Sequence, residues 1–190
     1  MFGFGICRYV DCNNNDFVIK RSYTLDSDEC VIFDDGDIQD EFEDSGVINP
    51  SDDGSFYNEI EMQIYDDNKD NPILAKVLPG STKEELLMEK AQYILGDIDE
   101  SNDEVGEFFI KRYKQFYPED FVERCAVFGD LWYSLNYRGI RVRLEELDKT
   151  INNLFKLFKK CPEITDDLHS QNVGYSNRMV IVDYASFGAY

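Results

Sequence analysis

The chain has 190 residues, 43% of them hydrophobic and 14% aromatic, enough to bury a genuine core and too apolar for a disordered chain. Its 19 Lys and Arg against 39 Asp and Glu give a formal charge of −20, which disfavours direct docking on DNA or RNA and favours basic partners. Cys7, Cys12, Cys30, Cys125 and Cys161 form no C-x-x-C pair, and no apolar run approaches the roughly 20 residues of a membrane span, so free thiols, a cytoplasmic location and no membrane contact are expected.

The first strands are predicted at Ile6 to Val10 and Phe17 to Arg21, a hairpin closed by the turn-forming run Asn13-Asn14-Asn15-Asp16. Between Ser22 and Asn68 there is no Lys or Arg while acids accumulate, and like charges at that density predict a solvated insertion over 26 to 53. Ser55 as a cap, with Phe56, Ile60 and Ile64 spaced by four, predicts a short helix over Phe56 to Tyr65, ending before Asn71-Pro72. Ile73 to Leu78 and Glu85 to Met88 flank Pro79-Gly80 and read as an antiparallel strand pair.

Beyond Gly96 the apolar spacing becomes helical, over Val105 to Phe116 and then from Pro118 through Leu135. A third helix carries Leu144, Leu147, Ile151, Leu154, Phe155 and Phe158 on one face, with Glu145 and Glu146 early and Lys156, Lys159 and Lys160 late, as the helix dipole favours. Val173-Gly174, a turn at Ser176-Asn177 and the strand Met179 to Val182 lead into Asp183. The fold class expected is α+β, with a sheet-rich part over 1 to 91 and a mainly helical part over 92 to 190.

The segment Asp167-Leu168-His169-Ser170-Gln171-Asn172, followed by Val180-Ile181-Val182-Asp183-Tyr184-Ala185, matches the order and spacing of D-x-x-x-x-N and D-F-G. It resembles the catalytic loop and metal-binding strand end of the protein-kinase-like superfamily. Upstream, Gly3-Phe4-Gly5 with Val10, and Val18-Ile19-Lys20, resemble that family's glycine-rich loop and lysine strand. Glu59-Ile60-Glu61 resembles the helix whose glutamate pairs with the lysine, with Glu59 preferred and Glu61 in reserve. Leu86-Leu87-Met88-Glu89-Lys90-Ala91 resembles the hinge that receives adenine.

The resemblance implies a two-lobed fold with a truncated helical lobe, and ATP with Mg2+ or Mn2+ as the bound species. It gives Asp167 as the residue orienting the acceptor hydroxyl, and Asn172 and Asp183 as metal ligands. Lys20, supported by Glu59, falls on phosphate oxygens, and Gly3, Gly5, Val10, Met88, Glu89 and Ala91 surround the nucleotide. The Asp-x-His-Ser-x-Asn form resembles the compact early-gene serine/threonine kinases of bacteriophages, which implies modification of host proteins in the host cytoplasm, and the net charge adds that basic ones are favoured.

The sequence departs from the family in four places. Only Met1 and Phe2 precede the glycine-rich segment, which leaves almost no first strand. Arg8 stands near the third glycine of the loop. Thr165 and Asp166 replace the histidine and arginine before the catalytic aspartate, so control through a phosphorylated activation loop is not expected. The sequence also ends at Tyr190, shortly after Asp183, so substrate recognition is expected from outside the usual peptide platform. Two other readings stand beside the kinase. One is a catalytically degenerate, kinase-fold inhibitor or adaptor that meets basic host proteins through an acidic, DNA-mimic-like surface. The other is a small-molecule phosphotransferase.

Overall fold

The computed structural model describes residues 2–4, 7–28, 30–33, 35–47, 50–98, 103–166 and 168–184. At the N-terminus, β1 (Phe2–Phe4), β2 (Arg8–Asp11) and β3 (Phe17–Ser22) form an antiparallel meander. The β2–β3 turn is held by Asx-type bonds: Asp11 accepts from the Asn13 amide at 2.9 Å, and Asn14 accepts from the Asp16 amide at 2.8 Å. Gly3 lies inside β1 opposite Val10, a strand position rather than the loop position expected of it. Gly5 falls outside the described residues.

The described acids of the insertion are exposed, as expected of a solvated segment, and the insertion also carries secondary structure for which no element was predicted. Its strand β5 (Val31–Ile32) pairs with β4 (Thr24–Leu25), which lies just before it, and a helix, α1 (Gly36–Asp44), follows. Asp35 caps α1 by accepting from the Asp37 amide at 2.9 Å. Charge repulsion is outweighed locally by aromatic packing: Tyr9, Tyr23, Phe33 and Phe42 sit with ring centroids 5.1 to 6.1 Å apart.

Helix α2 (Gly54–Asn68) is longer than predicted and turns an unexpected face inward. Phe56 is exposed and Ile60 and Ile64 are half-buried, whereas Gly54, Asn58 and Glu61 are buried. After α2, β6 (Glu85–Glu89) pairs with β3 and completes a four-stranded sheet in the order β1-β2-β3-β6. The predicted partner of β6 is realised only in part. Residues 76–78 meet 87–89 through Glu89 N–H to Lys76 O (2.8 Å) and Leu78 N–H to Leu87 O (2.9 Å), but Ile73 and Ala75 exchange bonds with Ile181 instead.

The chain divides into two units, Met1–Asp67 with Lys76–Lys90, and Asn68–Ala75 with Ala91–Tyr190. Residues 68–75 therefore belong with the second unit, not with the sheet-rich part to which the sequence assigned them. That unit contains β7 (Tyr93–Ile94), α3 (Leu95–Ile98), α4 (Asp103–Tyr113), α5 (Glu119–Arg124), α6 (Val127–Tyr137), α7 (Leu144–Phe158), a 3₁₀ turn (Pro162–Thr165), β8 (Val173–Tyr175) and β9 (Met179–Ile181). The single helix expected from Pro118 to Leu135 is two, because the chain tightens after α5: Phe128 N–H bonds to Cys125 O at 3.0 Å and Gly129 N–H to Ala126 O at 2.7 Å.

Helix α7 follows its sequence pattern, burying Leu147, Ile151, Leu154 and Leu157. Arg112 grips both Asp148 oxygens and the Tyr113 hydroxyl donates to one of them at 2.7 Å, tying α4 to α7. Strands β7, β8 and β9 form an antiparallel sheet in that order. Gly174 in β8 is required by close approach, since a Cβ there would stand 2.6 Å from Tyr93 O and 2.9 Å from the Ala91 methyl. Among the described residues no helix is long and apolar enough to cross a membrane.

Candidate functional site

Strand alternation places Arg8 and Val10 of β2 on the same sheet face as Lys20 of β3, because Val10 stands opposite Lys20 and Arg8 opposite Ser22. That face receives the polar stripe of α2. The Lys20 ammonium donates to both Glu61 carboxylate oxygens at 2.9 Å. Lys20 is 4% exposed and Glu61 not at all, so each charge has exchanged water for the other. Glu59, the preferred partner, is exposed on the opposite side of the helix, and the lysine's partner is the reserve, Glu61. Two residues along an α-helix turn a side chain by more than half a circle, which leaves only one of the two facing the sheet.

Arg8 and Asn58 complete the cluster and were not singled out as site residues from the sequence. The Arg8 guanidinium donates to Glu61 at 3.0 Å and to the Asn58 side-chain oxygen at 3.1 Å. The Asn58 amide donates in turn to the backbone oxygens of Lys20 (3.2 Å) and Lys83 (2.9 Å). A signal was present: Gly54, Asn58 and Glu61 repeat at helical spacing beside the apolar stripe, and Arg8 is in phase with Val10 and Lys20.

Of the expected adenine-contacting residues, Met88 and Glu89 lie at the end of β6, whereas Ala91 belongs to the second unit. Met88 is a core side chain with no exposure, and the Glu89 amide is engaged by Lys76 O. Lys90, at the last position of the first unit, donates to Cys12 O (2.6 Å) and Asn14 O (2.7 Å), fastening this segment to the β2–β3 turn.

In the second unit, Asn172 lies just before β8 and Asp183 two residues beyond β9, at the open end of the β8–β9 hairpin. Val173 pairs with Ile181, and one step outward the Val182 N–H donates to Asn172 O at 2.9 Å. Asn172 is buried, and its own N–H bonds to His169 O at 3.0 Å. The imidazole of His169 accepts from the Gln171 amide at 3.2 Å, and Gly96 N–H bonds to Ser170 O at 2.9 Å, so the loop before Asn172 is held from several sides. Asp183 is fixed between Val182 and the buried Tyr184, whose hydroxyl donates to Ala75 O at 3.0 Å.

Asp167 lies outside the described residues. Next to it, Thr165 is buried with its hydroxyl on Pro162 O, and Asp166 forms an ion pair with Arg124. An amide oxygen and a carboxylate at one hairpin end are hard donors of the kind Mg2+ and Mn2+ accept. Among the described residues no three His, Cys, Asp or Glu side chains group as a metal site. No protein-family model, curated protein or solved structure matches this chain.

Proposed function

We propose that the chain is an ATP-dependent phosphotransferase of protein-kinase-like architecture that acts on protein hydroxyls. The observation that carries this reading is the buried Lys20–Glu61 pair between β3 and α2. Burying two charges costs several kcal/mol per ion, and apolar residues would fill the same space at no such cost, so a role in chemistry accounts for keeping them. Held by one carboxylate, the Lys20 ammonium has a fixed direction and serves as a cation for the phosphate oxygens of ATP.

In this reading Asn172 and Asp183 would hold a divalent cation, which would supply charge neutralisation on the triphosphate. Asp167 orients the acceptor hydroxyl and receives its proton as the phosphoryl group departs from the diphosphate. Glu61, not Glu59, positions Lys20. The overall charge of −20 favours basic proteins as acceptors, and the resemblance to compact phage kinases implies that these are host proteins.

The test is transfer of labelled γ-phosphate to the chain itself and to basic protein acceptors, alongside thermal unfolding with ATP and Mg2+. Wild type is expected to unfold at higher temperature only when both are present, since a ligand of the native state stabilises it. Lys20→Met and Asp183→Ala should each lower transfer by about 100-fold or more, the scale of losing a preorganised charge at the phosphoryl group. No shift and no labelling in wild type, or undiminished labelling in both variants, overturns the reading.

The folded acidic insertion supports the second reading, an adaptor for basic host proteins. Helix α1 buries none of its side chains, and Asp37, Asp40, Glu41, Glu43 and Asp44 all face solvent from a helix next to the aromatic cluster. Unchanged binding of basic proteins after deletion of residues 26 to 53 removes this reading.

A further inference from the structure

We propose that Arg8 is a positioning residue that latches α2 onto the sheet and keeps Glu61 on Lys20 without phosphorylation or a partner. Its catalytic consequence rests on the phosphotransferase reading, while the latch rests on the contacts alone. The Arg8 side chain follows one stripe of α2 for two turns. Its guanidinium lies 5.9 Å from the Tyr57 ring centroid, 3.1 Å from the Asn58 oxygen and 3.0 Å from Glu61.

The same stripe begins at Gly54, where a Cβ would stand 2.7 Å from Arg8 Cγ, 2.5 Å from Cys7 O and 2.6 Å from Ser22 Cα. The helix thus starts in direct contact with the strands carrying Arg8 and Ser22, at a distance only glycine permits. One turn later Asn58 bonds to Arg8 and to the backbone of β3, and two turns later Glu61 bonds to Arg8 and Lys20. Rotating or lifting α2 would break these contacts together and strand two buried cations, so the helix has a single favourable seat.

The guanidinium suits this work because its planar fork can serve several acceptors in a fixed geometry while its face meets an aromatic ring. A lysine amine at the same place would make a point contact. In the kinase reading, positioning of this helix is a step that regulation can control. Here the control is built into β2, which agrees with Thr165 and Asp166 standing where an activation-loop reader would be.

The latch is tested by amide hydrogen exchange on the full chain, comparing α2 with β3 in wild type, Arg8→Ala and Arg8→Lys. R8A is expected to speed exchange in α2 by about tenfold or more over any change in β3, the scale of one buried charge-assisted hydrogen bond, and R8K to restore it in part. In the transfer assay R8A should lower kcat while KM for ATP stays within about twofold, since Arg8 acts through Glu61 rather than on the nucleotide.

Wild-type exchange in α2 of R8A overturns the latch. If R8A does not fold, Arg8→Gln, which removes the charge and keeps a polar stem, is read against the same standard. Faster α2 exchange with no phosphate transfer by wild type leaves the latch standing and removes the phosphotransferase reading. Transfer by wild type with an unchanged kcat in R8A removes the catalytic consequence of the latch and leaves the phosphotransferase reading intact.

Discussion

Helices α2 and α7 each span 15 residues, yet they are held in place by opposite means. Helix α7 buries Leu147, Ile151, Leu154 and Leu157 and leaves its charges outside. Helix α2 leaves Phe56 outside and buries Asn58 and Glu61 against Arg8 and Lys20. Apolar burial is non-directional and tolerates small adjustments, whereas a buried ion pair specifies distance and direction. The difference separates a helix that fills a core from one that aims a functional group.

The contrast breaks most sharply at Glu61. Glu61→Ala should cost about 4 kcal/mol in urea unfolding, because it leaves Arg8 and Lys20 buried without this carboxylate. The triple variant Arg8→Met, Lys20→Met, Glu61→Leu should recover most of that stability by apolar packing while transferring no phosphate. A triple variant as unstable as Glu61→Ala would mean that the cluster is needed for folding itself. On the other helix, Leu154→Ala should cost about 3 kcal/mol through lost burial and the cavity left behind, with nucleotide-dependent stabilisation retained.

Gly54→Ala sharpens the comparison by adding atoms rather than removing them. The added Cβ would press on the backbone of Cys7 and Ser22, which cannot move aside as a side-chain end can, so about 2 kcal/mol of destabilisation is expected. An unchanged unfolding midpoint would show that α2 can shift along the sheet, against a single seat for the helix.

The two helices also mark what could be read in advance. α7 was legible to its ends because apolar periodicity and terminal charges are local signals. The existence of α2 was legible, but its inward face was not: the Lys20 partner is 41 residues away in sequence, and a search for apolar periodicity passes over a buried carboxylate. Choosing Glu59 over Glu61 was a choice of helix face, and only the position of the sheet decides it. The elements inside the solvated insertion were not legible for a related reason, since Phe33 and Phe42 are separated by acids and gain meaning only beside Tyr9 and Tyr23. Ile73–Ala75 were recognised as extended and apolar, but their alignment with β9 is a tertiary choice. Asn172 and Asp183 both flank the β8–β9 hairpin, whose register sets Asn172 opposite Val182 rather than opposite Asp183.

The smallest effect is expected where charges meet at the surface. Asp148 is held below the usual carboxylate range, first by its hydrogen bonds from Arg112 and further by the Tyr113 hydroxyl and the Arg112 charge, with partial burial acting against them. The Tyr113 hydroxyl is pushed up, chiefly by burial and then by its bond to Asp148. A depressed carboxylate stabilises the folded state above its unfolded pKa of about 3.9, and that contribution fades as pH falls through the lower, folded value. Asp148 and Arg112 are more than 30% exposed, so screening holds the pair to about 0.5 kcal/mol. Asp148→Asn should therefore lower stability slightly at pH 7, and the gap to wild type should close below about pH 4 and narrow in high salt. A gap that stays constant from pH 7 to pH 3 would show that the tie between α4 and α7 works through shape and neutral hydrogen bonds rather than charge.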